Sequence, residues 1–135
     1  TNQLTITGIE HVMERIVTVP ANNDATVILT KDKVSGSDSA LDIQDTKYIR
    51  VTNLDSTNSV NLSLQIDNDN NDSAADRSAT ILLEAGKTFM LGTPHEAMNV
   101  SDADASIVTF MKDLESILVD SGTNDVKLEV FVAGA

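Results

Sequence analysis

The sequence predicts a mainly β protein: an antiparallel β-sandwich or jelly-roll-like barrel with at most one or two short helices. Three observations carry that reading. Roughly eight short segments alternate apolar and polar residues with a period of two. Between them lie turn-forming clusters such as LDSTN, Glu84-Ala85-Gly86 and DSGTND. The apolar content is aliphatic, with three Phe, one Tyr and no Trp, so Val, Ile and Leu must fill the core, and β-branched residues suit strands.

Taken in chain order, LTITG predicts a first strand. The next segment, TGIEHVMERIV, is ambiguous. Ile9, Val12, Met13 and Ile16 recur at helical spacing and Thr7 with Glu10 matches a capping box, yet VTVPA directly after it reads as a strand. Helix and strand both stay open for residues 8–17. ATVILTKD predicts a strand near the front. KDKVSGSDSALDIQD, residues 31–45, is polar and reads as a long exposed loop or arm. KYIRVTN places Ile49 and Val51 on one face, and SVNLSLQID does the same for Leu62, Leu64 and Ile66. A polar loop over 67–77 follows.

SATILLE and KTFMLG predict a pair of strands around Glu84-Ala85-Gly86. In SDADASIVTFMKDLESIL the apolar residues Ile107, Phe110, Met111 and Leu114 fall at i, i+3, i+4 and i+7 behind Ser101 or Asp102 as a cap, which predicts a short helix over 103–112. ESILVDS, with Ile117 and Val119 on one face, is expected to form a closing hairpin with VKLEVFV. In that last strand Val126, Leu128, Val130 and Val132 oppose Lys127, Glu129 and Phe131.

With 135 residues, the chain is long enough for one domain that buries about two-thirds of its unfolded surface. Residues 1–135 are read as a single sandwich domain with an N-terminal arm over 1–7 and exposed loops over 31–45 and 67–77. No stretch approaches the roughly 20 apolar residues of a membrane-spanning helix, and TNQLTITG has neither the basic segment nor the apolar core of a secretory signal. The absence of Cys excludes disulfides, thiolate nucleophiles and cysteine metal sites. Asp and Glu number 21 against 9 Lys and Arg, a formal charge of -12, which disfavours nucleic acid and anionic membranes as partners.

Candidate chemistry is sparse. Asp67, Asp69 and Asn71 match the first three ligand positions of an EF-hand-type calcium loop, but Asp72 stands where its Gly belongs and Ser78 where its bidentate Glu belongs. The segment reads as a solvated loop; Asp67, Asp69, Asn71 and Asp72 form the one candidate metal loop. His11 and His95 have no second His at zinc-ligand spacing and read as surface or packed residues. No GxSxG elbow ties a serine to a histidine, and Glu10 with Glu14 would serve a glycosidase only in a cleft. LEAGKTF lacks the first Gly of a phosphate loop and reads as a strand-turn-strand corner. The four Met residues, 13, 90, 98 and 111, read as core filler. No catalytic residue, no cofactor and no enzyme activity are expected.

The order KYIRVTNLDSTNSVNLSLQID, then ILLEAGKTFMLG, then DLESILVDSGTNDVKLEVFVAGA resembles the layout of small virion proteins of tailed bacteriophages. There a strand reaches a polar turn and returns, an "L-x-AG-K/E-x" corner follows, and a closing hairpin ends the chain. The resemblance covers about residues 47–133 and is closest to the capsid decoration, or cement, proteins. It implies a non-enzymatic protein on the outer capsid surface of a virion, often a homotrimer. Such a protein clamps adjacent subunits of the major capsid protein by repetition of modest contacts. It carries no contact residues over to this chain; mobile segments suit such contacts, which points to 1–7 and 31–45. A neck, tail or fibre component shares the pattern. An adhesion or carbohydrate-binding module is the reading from another class, and a hydrolase the third.

Overall fold

The computed structural model describes residues 3–31, 41–67, 75, 77–103 and 106–135. Nine strands are assigned among them, and no helix. They are β1 (His11–Val19), β2 (Asp24–Lys31), β3 (Leu41–Asp42), β4 (Thr46–Asn53), β5 (Val60–Asp67), β6 (Arg77–Leu83), β7 (Thr88–Leu91), β8 (Asp113–Asp120) and β9 (Val126–Gly134).

Two sheets form, with strand orders β1-β9-β4-β7 and β3-β2-β8-β5-β6. All pairings are antiparallel except that of the two-residue β3 with β2. The connections β1–β2, β4–β5, β6–β7 and β8–β9 each cross from one sheet to the other. Strand β1 therefore faces β2, β9 faces β8, β4 faces β5 and β7 faces β6. That is the double Greek key of a jelly roll, and it bears out the expected β-sandwich.

The alternation read in the sequence places the core. Val126, Leu128, Val130 and Val132 of β9 are buried, as are Ile49 and Val51 of β4, Leu62, Leu64 and Ile66 of β5, and Ile117 and Val119 of β8. Each fully buried aliphatic side chain stabilises the fold by about 1.5–3 kcal/mol over its exposed state. Irregularities in register refine the pattern. The β2–β8 register shifts between Thr26 and Ile28, so adjacent Val27 and Ile28 are both buried. The β5–β8 register passes from Ser116 to Leu114, leaving Glu115 as the extra residue of a bulge. The buried hydroxyl of Thr30 donates to the carbonyls of Leu114 and Glu115 there, which serves acceptors the bulge takes out of the ladder.

One open choice is resolved and three expectations are corrected. Of residues 8–17, residues 11–17 are strand, and 8–10 precede β1. LTITG is not a strand: its residues precede β1, which begins at His11 opposite Gly134. The helix over 103–112 does not form among the described residues. Lys112 instead exchanges backbone hydrogen bonds with Met98, and Leu114, which completed the helical spacing, belongs to β8. Finally, ESILVDS with VKLEVFV, and SATILLE with KTFMLG, are not hairpins. Their strands lie in opposite sheets, so their apolar faces meet across the core instead of lying side by side.

Candidate functional site

The register sets four of the six sheet-crossing connections, the β1–β2, β4–β5, β6–β7 and β8–β9 corners, at one end of the sandwich. Val19 pairs with Val126, Asn53 with Leu128 and Val60 with Leu83, so residues 20–23, 54–59, 84–87 and 121–125 gather there. Gly86 and Gly122 adopt left-handed backbone in their corners (φ 73° and 70°), a conformation that suits glycine. The corners are tied in pairs. Asn22 N–H donates to the Gly122 carbonyl at 2.7 Å and Ala21 N–H to the Asp125 carboxylate at 2.7 Å. Buried Asn53 ties the other pair: its N–H donates to the Lys87 carbonyl, its carbonyl accepts from Gly86 N–H, and its side-chain amide donates to the carbonyls of Asn58 and Leu83.

Asp55 is committed to the same construction. One carboxylate oxygen accepts from the N–H groups of Asn58 and Thr57, both at 2.8 Å. Those bonds, Asn58 first, hold its pKa below the ordinary carboxylate value. Beside this corner lies an open cleft of ≈ 360 Å³ lined mainly by hydroxyl and amide groups, among them Thr57, Asn58, Asn61, Ser121, Thr123 and Asn124.

The residues singled out in the sequence do not converge. Asp67 ends β5, and its backbone pairs with Asp113; Asp69, Asn71 and Asp72 lie outside the described residues. Among the described residues no group of three or more His, Cys, Asp or Glu is placed to hold a metal ion. His11 is exposed at the start of β1. His95 Nδ1 lies 3.1 Å from the Asp113 carboxylate but not at a hydrogen-bonding angle, and that oxygen accepts from Glu96 N–H at 2.8 Å instead. Glu10 and Glu14 are both exposed and line neither cleft at the corner end. LEAGKTF is the strand-turn-strand corner expected, closed by Lys87 N–H to the Glu84 carbonyl. Met13 and Met98 pack against the core. Met90 and Met111 do not: both are exposed, Met90 because it alternates outward between the inward Phe89 and Leu91 of β7.

Two surfaces stand out instead. At the end opposite the corners, the segment before β1 and the connection between β7 and β8 expose Leu4, Ile107 and Phe110. The expected contact arms map to this end. Residues 3–7 are exposed and outside any strand. The exposed loop expected over 31–45 is corrected in part: Lys31 ends β2, Leu41–Asp42 form β3 and Ile43 is buried, and residues 32–40 lie outside the described set. The second surface is the outer face of the sheet β1-β9-β4-β7. In β1 the outward positions are Val12, Glu14, Ile16 and Thr18, and Val12 and Ile16 are exposed at 61% and 65%. Their β9 neighbours are Ala133, Phe131, Glu129 and Lys127, and β4 and β7 continue the rows with Tyr48, with Arg50 and Met90, and with Thr52 and Thr88.

The rows are internally fixed. Arg50 donates to Glu129 at 2.7 Å, its guanidinium lies 4.7 Å from the centre of the Phe131 ring, and Tyr48 meets Phe131 edge-on at 5.9 Å. The bond to Glu129 is the main cause of the raised pKa of Arg50. The sequence pattern identified the β9 part of this face, Lys127, Glu129 and Phe131. It missed Val12 and Ile16, because their helical spacing hid their strand alternation.

No family model matches the chain, and no curated protein matches it. Among solved structures the chain is similar to one from a study of Bacillus endospore appendages as a family of disulfide-linked pili. The identity is 12% and the TM-score 0.42, over 98% of this chain and 94% of that one.

Proposed function

We propose that this chain is a non-enzymatic structural protein of a virion: a capsid decoration protein that binds the outer surface of a phage head and stabilises contacts between subunits of the major capsid protein. The observation that carries the reading is the division of the sandwich into two unlike ends. One is closed by four short, cross-tied corners; the other carries the long connections and presents Leu4, Ile107 and Phe110 to solvent. Such an end suits docking on a larger body, where exposed apolar side chains are buried on contact. Repetition over a shell turns modest contacts into firm attachment. The jelly-roll strand order is one that viral capsid proteins use, a likeness of architecture alone. The sequence layout over 47–133 points the same way. The net charge of -12 keeps such a coat soluble and repels nucleic acid.

The test is co-sedimentation of the purified protein with tailed-phage capsids, intact and stripped of their own decoration proteins, counting copies bound per shell. Saturation at a fixed stoichiometry supports decoration, and loss of binding in Ile107→Asp with Phe110→Asp assigns the contact to this end. Absence of binding to any shell moves the assignment to a neck, tail or fibre part.

A carbohydrate-binding module is the second reading, favoured by the hydroxyl- and amide-lined cleft at the corner end. A glycan array probed with the purified protein tests it: binding abolished by Asn61→Ala with Thr123→Ala supports the module, and an empty array removes it.

A further inference from the structure

We infer that the outer face of the sheet β1-β9-β4-β7 is a self-association surface, and that its occupant is a second copy of this chain related by a two-fold axis. The face carries more apolar surface than the outer face of β5 and β6. It exposes Val12, Ile16 and Met90 at 61%, 65% and 62% and holds half-buried Tyr48 and Phe131 among its charged and hydroxyl groups. The outward positions of β5 and its neighbour β6 are instead Asn61, Ser63, Gln65, Ser78 and Thr80, with Leu82.

Charge identifies the occupant. The chain carries -12, so two copies repel wherever their acidic surfaces meet. On this face the outward charged groups are Glu14, Glu129, Arg50 and Lys127, which sum to zero. A second copy can approach here without that repulsion.

The register also makes the face self-complementary. A two-fold axis in the interface, parallel to the strands and midway between β9 and β4, lays β9 on the partner's β4 and β1 on its β7. Row by row, Phe131 then meets Arg50 of the other copy, Glu14 meets Met90 and Ile16 meets Thr88, following the pairings of Arg50 with Phe131 and Met90 and of Glu14 with Phe131. Glu129 falls opposite Thr52, so like charges are not opposed. Each guanidinium, already bound to its own Glu129, gains a second aromatic face. Strands of nine, nine, eight and four residues, about 4.8 Å apart, cover roughly 500 Å² per copy. A total of about 1,000 Å² lies in the range of weak, transient interfaces, so weak, reversible association is expected.

This inference is independent of shell binding, which uses the other end of the molecule. Sedimentation velocity of the full chain over about 1–500 μM should show a reversible monomer–dimer equilibrium at these areas. Ile16→Asp and Met90→Asp should each weaken it at least tenfold without changing the far-UV spectrum, because both side chains are exposed. As a geometric check, Ile16→Cys with Thr88→Cys, treated with a short bis-maleimide, should give covalent dimers while either single variant gives none. The native chain contributes no thiol of its own. Monomer at every concentration, a trimer, or a dimer indifferent to both aspartate substitutions would overturn the inference. Shell binding by a monomeric protein would sink it and leave the decoration reading standing.

Discussion

The side-chain amide of Asn53 donates to the carbonyl of Leu83 at 3.2 Å and to that of Asn58 at 2.9 Å, while its own oxygen accepts from Asp55 N–H at 2.9 Å. One buried amide thereby holds the end of β4, the β4–β5 corner and the end of β6 together. Asn53→Leu would leave these backbone partners unpaired near the core. The expected loss is about 2–4 kcal/mol of unfolding free energy, read from urea denaturation. A loss no larger than an ordinary surface change would show that the clamp is dispensable.

Asp55 gives the acid limb of stability a defined sign. Its native pKa lies below the ordinary value, so its contribution is fully present above the unfolded carboxylate pKa and is lost as pH falls through the native one. Asp55→Asn should therefore melt below the parent chain at about pH 6, and the gap should narrow as pH falls below the ordinary carboxylate value of about 4. A gap of constant size across that range would rule out the charge as its source.

Thr30 tests the β8 bulge. Its hydroxyl serves the carbonyls of Leu114 and Glu115 in a fully buried setting. Thr30→Val keeps the shape and removes the donor, with an expected cost of about 1–2 kcal/mol. Thr30→Ser should recover part of it.

Gly134 is required by space. A Cβ there would stand 2.8 Å from the Asp45 carbonyl oxygen, which accepts from Ala135 N–H at 2.9 Å. Gly134→Ala should cost about 1–3 kcal/mol in thermal or urea unfolding. At Gly92, where a Cβ meets nothing within 4 Å, the same change should stay within about 0.5 kcal/mol. Equal effects at the two positions would contradict the steric account.

For the 67–77 segment the expectation comes from composition. With Asp72 in place of the turn glycine and Ser78 in place of the bidentate glutamate, calorimetric titration with calcium should show no tight site. A tight site abolished in the Asp67→Ala, Asp69→Ala double variant would reverse that.

The sequence by itself determined which residues would be inside. Wherever alternation was clean, as in Val126-Leu128-Val130-Val132 or Leu62-Leu64-Ile66, one face is buried, because a strand packed on one side can place apolar residues only at every second position. It also determined the turns, since Gly86 and Gly122 mark corners that need left-handed backbone. Partners were decided only by tertiary structure. A turn that folds two strands into a hairpin and one that carries the chain across the sandwich leave the same alternation on both flanks, so β8 and β9 read as neighbours although they face each other across the core. A second ambiguity hid the outward face of β1. Val12 and Ile16 fit a helix or an outward strand equally, and only pairing of β1 with β9 set them beside Phe131, Arg50 and Met90 on one surface.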